Sequence, residues 1–298
     1  MILITGGNGQ LGTELRHLLD ERDVKYFAAD VNELDITDKT AVDAFFDKNK
    51  PELVYHCAAY TAVDKAEDEG KALNEKINVD GTRHVAEAAA RVGATLVYIS
   101  TDYVFNGDLP VGQEWEVDAP KGPVSEYGRT KLLGEQAVEA SGVKFYTIRT
   151  AWVFGSYGPN FVFTMQNLAT RFPEITVVND QHGRPTWTRT LAEFMVYLVD
   201  QQAEAGYYHL TNDAALGEDV TWFDFAKEIL KDTDTVVKPV DSSNFPSAAK
   251  RPFNSTMSLT KAKATGFNIP TWQEALAQLL TIGDLRENKD KVKGETAK

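Results

Sequence analysis

Residues 1–12 read MILITGGNGQLG. A short apolar run, Met1–Thr5, passes straight into glycines and then into a helical pattern in which Leu11, Leu15, Leu18 and Leu19 recur at i, i+4, i+7 and i+8. Gly6, Gly9 and Gly12 fall at G-x-x-G-x-x-G spacing across that junction. Glycines there permit a tight turn, let backbone approach a pyrophosphate and let the helix pack closely on the sheet, while the helix N-terminus offers free amide donors. Glycines alone also serve plain turns. Strand before, helix after and position at the head of the chain turn the reading toward a dinucleotide site. The next apolar run ends in Asp30, the expected distance on for an acid that binds an adenosine ribose; its bland alternative is a helix cap or a solvated loop acid. Val31 and Asn32 follow rather than a basic residue, which favours NADH over NADPH locally.

Outward from this unit the pattern repeats. Apolar strands are expected at Met1–Thr5, Lys25–Ala29, Leu53–Ala58, Thr95–Ser100 and Phe145–Val153. Amphipathic helices separate them, one with Val42, Phe45 and Phe46 on a face, another with Val79, Val85, Ala86 and Ala89. Near-continuous apolar strands between such helices predict an α/β fold with a doubly wound parallel sheet covered on both faces. After about Gly155 glycines, prolines and aromatics crowd the chain, and a smaller irregular α/β substrate lobe is expected. The division predicted is 1–154 for the dinucleotide-binding domain, rejoined by a helix near 187–203, with 155–186 and 204–283 as the lobe. Within the lobe come a VVND strand, a GYYHLT strand, and Thr221 opening a helix with Asp224 as a capping box. Residues 284–298 are expected to be a polar tail.

The formal net charge of −13 argues against nucleic acid or an anionic membrane as main partner, since both demand concentrated positive charge. Cys57 is the single cysteine, so no internal disulfide forms. No apolar run approaches 18 residues and no signal segment opens the sequence, which predicts a cytoplasmic protein.

Residues 125–136, SEYGRTKLLGEQ, place Tyr127 and Lys131 one turn apart at the start of a helix, and of the 11 tyrosines only Tyr127 has lysine at +4. The strand LVYISTDYVF ends with Ser100, Thr101 and Asp102 at the sheet's carboxyl edge, where ligands bind in this architecture. The spacing puts both helix side chains on one face toward that edge. Ketone reduction requires hydride at carbon and a proton at the developing alkoxide. A phenol, ordinarily near pKa 10, is a reluctant donor, and a neighbouring ammonium, together with the positive nicotinamide formed as hydride leaves, is expected to lower its pKa. Thr101 offers a hydrogen bond that fixes the carbonyl oxygen. Thr101, Tyr127 and Lys131 therefore read as a proton-delivery set.

With GGNGQLG, LDITD, CAAYTAVDKAE, STDYVFNG, YGRTK, RTAWVFG, NDQHGRPT and RPFNSTM in place, the chain resembles the extended short-chain dehydrogenase/reductase superfamily over about residues 1–280. More narrowly it is similar to the dTDP-4-dehydrorhamnose reductases. The resemblance implies an NADH- or NADPH-dependent reductase acting on a dTDP-sugar. It implies cofactor contacts from Gly9, Gln10, Leu11, Asp30, Asp35, Ile36, Ala58, Ala59 and Thr61, with Lys131 also on the nicotinamide ribose. Substrate contacts are implied for Thr101, Asp102 and Trp152, and Tyr127 is the implied proton donor. Arg251, before Pro252, is a basic candidate for the substrate pyrophosphate. Bland alternatives stand beside these: Asp35 as a helix cap, Ala58 and Ala59 as close-packed strand residues, Trp152 as core, Lys65 and Glu67 as a solvated helical pair, Arg251 as surface.

Some members of the family are Mg²⁺-dependent dimers with interface carboxylates. Here His17, His56, His84, His182 and His209 are scattered and no acids pair at a ligand spacing, so no catalytic metal is expected, a structural one is left open, and the chain reads as monomer or homodimer. Two rival functions remain. A nucleotide-sugar epimerase or dehydratase uses the same scaffold, but a dehydratase typically carries a carboxylate pair after the threonine, whereas Thr101 is followed by Asp102 and Tyr103. The other is a non-catalytic dinucleotide-binding subunit, like the reductase-like regulatory subunit of methionine adenosyltransferase.

Overall fold

In chain order the strands are β1 (Ile2–Thr5), β2 (Tyr26–Ala29), β3 (Leu53–His56), β4 (Thr95–Thr101), β5 (Lys144–Thr150), β6 (Val153–Phe154), β7 (Glu174–Val178), β8 (Thr186–Trp187), β9 (Gly206–His209) and β10 (Val236–Val240). The helices that matter here are α1 (Gln10–Glu21), α2 (Lys39–Asn49), α3 (Lys71–Glu75), α4 (Thr82–Val92), α5 (Glu126–Ala140), α6 (Phe161–Ala169), α7 (Thr188–Asp200) and α8 (Trp222–Ile229). The structure, a computed structural model, describes residues 1–215 and 218–282; the expected tail at 284–298 lies outside them.

Six parallel strands form the central sheet in the order β2-β1-β3-β4-β5-β9. The order turns back at β1 and β3, which opens a crevice at the carboxyl ends of the strands. Alternation along each strand sends side chains to both faces. Ile4, Tyr55 and Ile148 pack with Leu15 and Leu18 of α1 and Leu191 and Phe194 of α7, whereas Leu3, Val54 and Leu96 pack with Val42 and Phe46 of α2, Val85 and Ala89 of α4 and Val138 of α5. Sheet strands buried on both faces need the continuous apolar runs seen in the sequence.

The lobe has its own core, with Phe154, Val162, Phe225, Trp272 and Leu276 among its members, beneath two small parallel pairs, β7 with β10 and β6 with β8. The predicted capping box is present: Thr221 Oγ1 accepts from the Asp224 amide while Asp224 accepts from the Thr221 amide. Two expectations need correction. The GYYHLT strand, assigned to the lobe, is β9 and extends the main sheet beside β5; Tyr208 and Leu210 bury in the α1/α7 core, which supplies the driving force. The strand expected at Phe145–Val153 stops at Thr150. Trp152 adopts a left-handed φ of +49°, and Val153–Phe154 cross to pair with β8. Helix α7 packs on α1 beside the main sheet. Among the described residues no helix is long and apolar enough to cross a membrane.

Candidate active site

Two cavities adjoin at the carboxyl ends of the strands and share Gly9, Cys57 and Ala59 as common wall. One, about 390 Å³, is lined by Gly6, Asp30, Asp35, Ile36 and Ala58. The other, about 420 Å³, is lined by Gln10, Leu11, Gly12, Thr61, Thr101, Asp102, Tyr127, Lys131 and Trp152. Through these shared residues they form one cleft, and of the residues expected at the site only Arg251 lines neither cavity. Its guanidinium donates to Asp64 Oδ2 at 2.7 Å and to the Tyr103 hydroxyl at 3.2 Å, so it reaches the cleft only through Tyr103.

The turn between β1 and α1 depends on glycine. Gly6 sits at φ +65°, and a Cβ there would lie 2.6 Å from the Ala58 amide nitrogen; a Cβ on Gly12 would collide with the Gly6 carbonyl. The turn is latched to β2, since the Asn8 amide donates to Asp30 Oδ2 at 3.1 Å and the Val31 amide to Asp30 Oδ1 at 2.8 Å. Asp35 does not cap α2, a task taken by Asp38. It accepts from the Thr37 hydroxyl and amide, which hold its carboxyl below the usual range, with a weaker contribution from Lys76. Gln10, Asp102 and Thr150 line the larger cavity, and Gln10 Oε1, Asp102 Oδ2 and Thr150 Oγ1 are buried without a hydrogen-bond partner among the described residues. Orphaned polar atoms around a glycine cradle at a helix N-terminus suit a polar ligand, and a dinucleotide fits them.

Helix α5 begins where Ser125 Oγ accepts from the Gly128 amide and Glu67 Oε1 from the Glu126 amide, which fixes its first turn and thus Tyr127. Glu67 is therefore a helix anchor, while Lys65 pairs with Glu69 on the surface. Lys131 is buried; its Nζ donates to the Ile99 carbonyl at 2.7 Å and lies 4.2 Å from the centre of the Tyr98 ring. Burial pushes its pKa down to about 7, against the attraction of Glu135 and Cys57. The ammonium by itself does not lower the Tyr127 pKa. Burial first, and the Asp102 charge second, push the phenol well above its usual value, with the Thr101 hydroxyl pulling the other way. A proton donor gains from this, because the phenol stays protonated at neutral pH and still yields to a developing alkoxide, a far stronger base.

Residues not anticipated also line the cleft. Cys57, Val63, Ile99, Tyr103, Ala151, Val153 and Leu191 face the larger cavity, and Thr37, Leu73, Lys76 and Ile77 the smaller. Asn78 sits in a π-helical turn, Lys76–Gly81, and grips the loop at Tyr60, accepting from its amide at 2.9 Å and donating to its carbonyl at 3.0 Å. Ser100 lines the cleft and donates to buried Glu135 at 2.6 Å. An acid at +4 from Lys131 was the available signal for Glu135; nothing local signalled Asn78. Among the described residues no group of three or more His, Cys, Asp or Glu is arranged to hold a metal. The acids on α1 and α7 do gather, but Glu21 and Glu193 close on the Arg189 guanidinium, with Glu14 4.0 Å away, so a cation from the chain itself occupies their centre.

Asp102 carries a measurable consequence. Its Oδ1 accepts from Thr101 Oγ1 at 2.8 Å, whereas the nearby Ser255 hydroxyl is committed to the His182 carbonyl at 3.3 Å. Burial raises its pKa to about 6 from an ordinary 3.8. A carboxyl raised on folding favours the native state while protonated, so this contribution is present below pH 4 and lost as pH rises through 6. Asp102→Asn keeps an acceptor for Thr101 without the charge. Relative to the parent chain it is expected to gain on the order of 3 kcal/mol in denaturant stability at pH 8 and almost nothing at pH 3. Equal gains at both pH values would contradict the assignment.

A glycine turn after the first strand of a doubly wound parallel sheet, opening into a cleft that holds a threonine, a tyrosine and a lysine, defines the extended short-chain dehydrogenase/reductase class. Within it, residues 1–284 match the family described as RmlD substrate binding domain, and the chain belongs to that family. A dTDP-4-dehydrorhamnose reductase of Streptomyces griseus is 41% identical over 93% of this chain and 91% of its own length. The crystal structure of a dTDP-4-dehydrorhamnose reductase from Clostridium acetobutylicum is 40% identical, with a TM-score of 0.89 over 95% of this chain and 99% of that one. That of a dTDP-4-dehydrorhamnose reductase from Bacillus anthracis, in complex with NADP, is 38% identical, with a TM-score of 0.88 over 94% and 98% of the two chains.

Proposed function

We propose that the chain reduces the 4-keto group of dTDP-4-dehydro-L-rhamnose to give dTDP-L-rhamnose with NADH or NADPH. The observation that carries this reading is that Thr101, Tyr127 and Lys131 line one cavity continuous with the glycine turn. Gly6, Gly9, Gln10, Leu11, Gly12, Asp30, Asp35, Ile36, Ala58, Ala59 and Thr61 hold the dinucleotide, which supplies the hydride when bound. Thr101 fixes the sugar carbonyl, Asp102 and Trp152 hold the ring, and Tyr127 transfers its proton to the oxygen as the C–H bond forms. The phenolate then recovers a proton from solvent, so ketone, reduced cofactor and one proton give alcohol and oxidised cofactor. Lys131 orients the nicotinamide ribose and holds positive charge near the phenol.

The lobe at 155–186 and 204–283, apart from β9, supplies the substrate side. We place the enzyme in the cytoplasm as a monomer or homodimer. Mixing the chain with the keto-sugar and reduced cofactor is expected to consume one cofactor per sugar reduced, followed at 340 nm and by product chromatography. Redox-neutral conversion would instead indicate an epimerase or dehydratase, and binding without turnover a regulatory subunit.

A further inference from the structure

We propose that Arg16 is the residue that reads the 2′ position of the adenosine ribose and lets this chain accept NADPH at least as well as NADH. This rests on the dinucleotide reading of the cleft, though not on the identity of the sugar. The argument starts at Asp30. In a chain specialised for NADH an acid at the end of β2 is free to bind the ribose hydroxyls. Here its two carboxylate oxygens accept the Asn8 and Val31 amides. Asp30 is thus engaged in latching the glycine turn to β2.

Arg16 comes to the same place from α1. Its Nη1 donates to the Gly7 carbonyl at 3.3 Å and to Asn8 Oδ1 at 3.1 Å. Asn8 is exposed and touches both groups, Asp30 through its amide and Arg16 through its side chain. The guanidinium therefore stands one residue from the acid at the adenosine end of the cleft. It makes no ion pair with a carboxylate among the described residues; its Nε is buried, and the Tyr26 hydroxyl is a further partner of the guanidinium. A guanidinium without a carboxylate suits an oxyanion that accepts two of its N–H groups, and a phosphate is one. Arg16 stands outside the lining of this cavity, beside its Asp30 end; Lys76, the cation that lines it, lies near Asp35 instead. Looking for the cation directly after Asp30 finds Val31 and Asn32; the structure supplies it from the preceding helix.

The test is cofactor binding, read by NAD(P)H fluorescence with no sugar present. The parent chain is expected to bind NADPH at least as tightly as NADH, and to bind adenosine 2′,5′-bisphosphate more tightly than 5′-AMP. In Arg16→Gln the ratio of NADPH to NADH affinity is expected to fall about tenfold, the loss of one charge-assisted contact at a partly exposed site. Arg16→Lys, which keeps a point charge, is expected to recover part of that ratio. Raising salt from 20 to 300 mM (chosen conditions, roughly a fourfold change in Debye length) should weaken NADPH more than NADH in the parent and equally in Arg16→Gln. A parent chain that prefers NADH, or a ratio untouched by Arg16→Gln, overturns the proposal. Because binding needs no sugar, a chain that shows this pattern yet reduces nothing would sink the reductase reading alone.

Discussion

Tyr127→Phe is expected to slow turnover by about 10²–10⁴-fold, the usual worth of a placed proton donor, while NAD(P)H affinity stays within about threefold. The substitution removes one oxygen and leaves the ring, whose edge contact with Tyr103 at 5.5 Å between centroids holds it in the cleft. The helix start is anchored by Ser125 and Glu67 independently of the hydroxyl, so the variant should fold. Since burial and Asp102 hold the phenol protonated, a fall in the parent's reduction rate between pH 7 and 9 should follow Lys131, whose pKa lies at about 7, and not the phenol. Single-turnover cofactor oxidation separates chemistry from release. A variant within threefold of the parent in that assay would remove Tyr127 from the mechanism, and the phenol would have to be reread as a wall of the cleft.

Where the sequence was legible, the structure that matters is local. The first strand, its glycines and the helix after them occupy one continuous stretch, and Tyr127 and Lys131 are one turn apart on one helix. Short-range periodicity and steric need fix such units with no knowledge of the rest of the chain. Reading failed where partners are distant. β9 carries no mark of which sheet it joins, because strand order is a property of the packed core. Arg251 looks like a ligand cation until Asp64, 187 positions earlier, is seen to hold it. The +49° φ of Trp152 reflects the demand that the chain leave β5 and enter the lobe within two residues, a demand set by the crossing to β8. Charge states behave the same way. The ammonium at +4 was legible, yet burial and Asp102, contributed by β4 and the turn after it, decide the direction of the phenol.

Arg149→Met is expected to cost about 3–5 kcal/mol of stability, because it strands a carboxylate in the core. Arg149 and Glu135 are each about 2% exposed, and the guanidinium bonds Glu135 through Nε and Nη2, both at 2.8 Å. Glu135→Leu should be comparably damaging, since it leaves the arginine without a counter-charge, with the Val117 carbonyl at 2.8 Å, His209 Nε2 at 3.3 Å and the Phe105 and Tyr207 rings as its neighbours. The double variant, Glu135→Leu with Arg149→Met, should recover most of the loss, as replacing a whole buried pair by apolar groups is often nearly neutral. Stability alone then gives no reason for the pair, and its position supplies one. Glu135 lies one turn beyond Lys131 on α5, and its charge opposes the burial that drives the Lys131 pKa down. The other groups facing that ammonium are Cys57 and His56 from β3 and its following turn and Tyr98 from β4; buried His56 is held neutral well into acid. With Glu135 gone, Lys131 should lose its proton at a lower pH than in the parent, so the fall in reductase activity with rising pH should begin at lower pH in the double variant than in the parent. Denaturant titration and the pH dependence of kcat/KM read the two halves of this prediction separately. A double variant no more stable than the worse single variant would contradict the first half, and an unchanged pH profile the second.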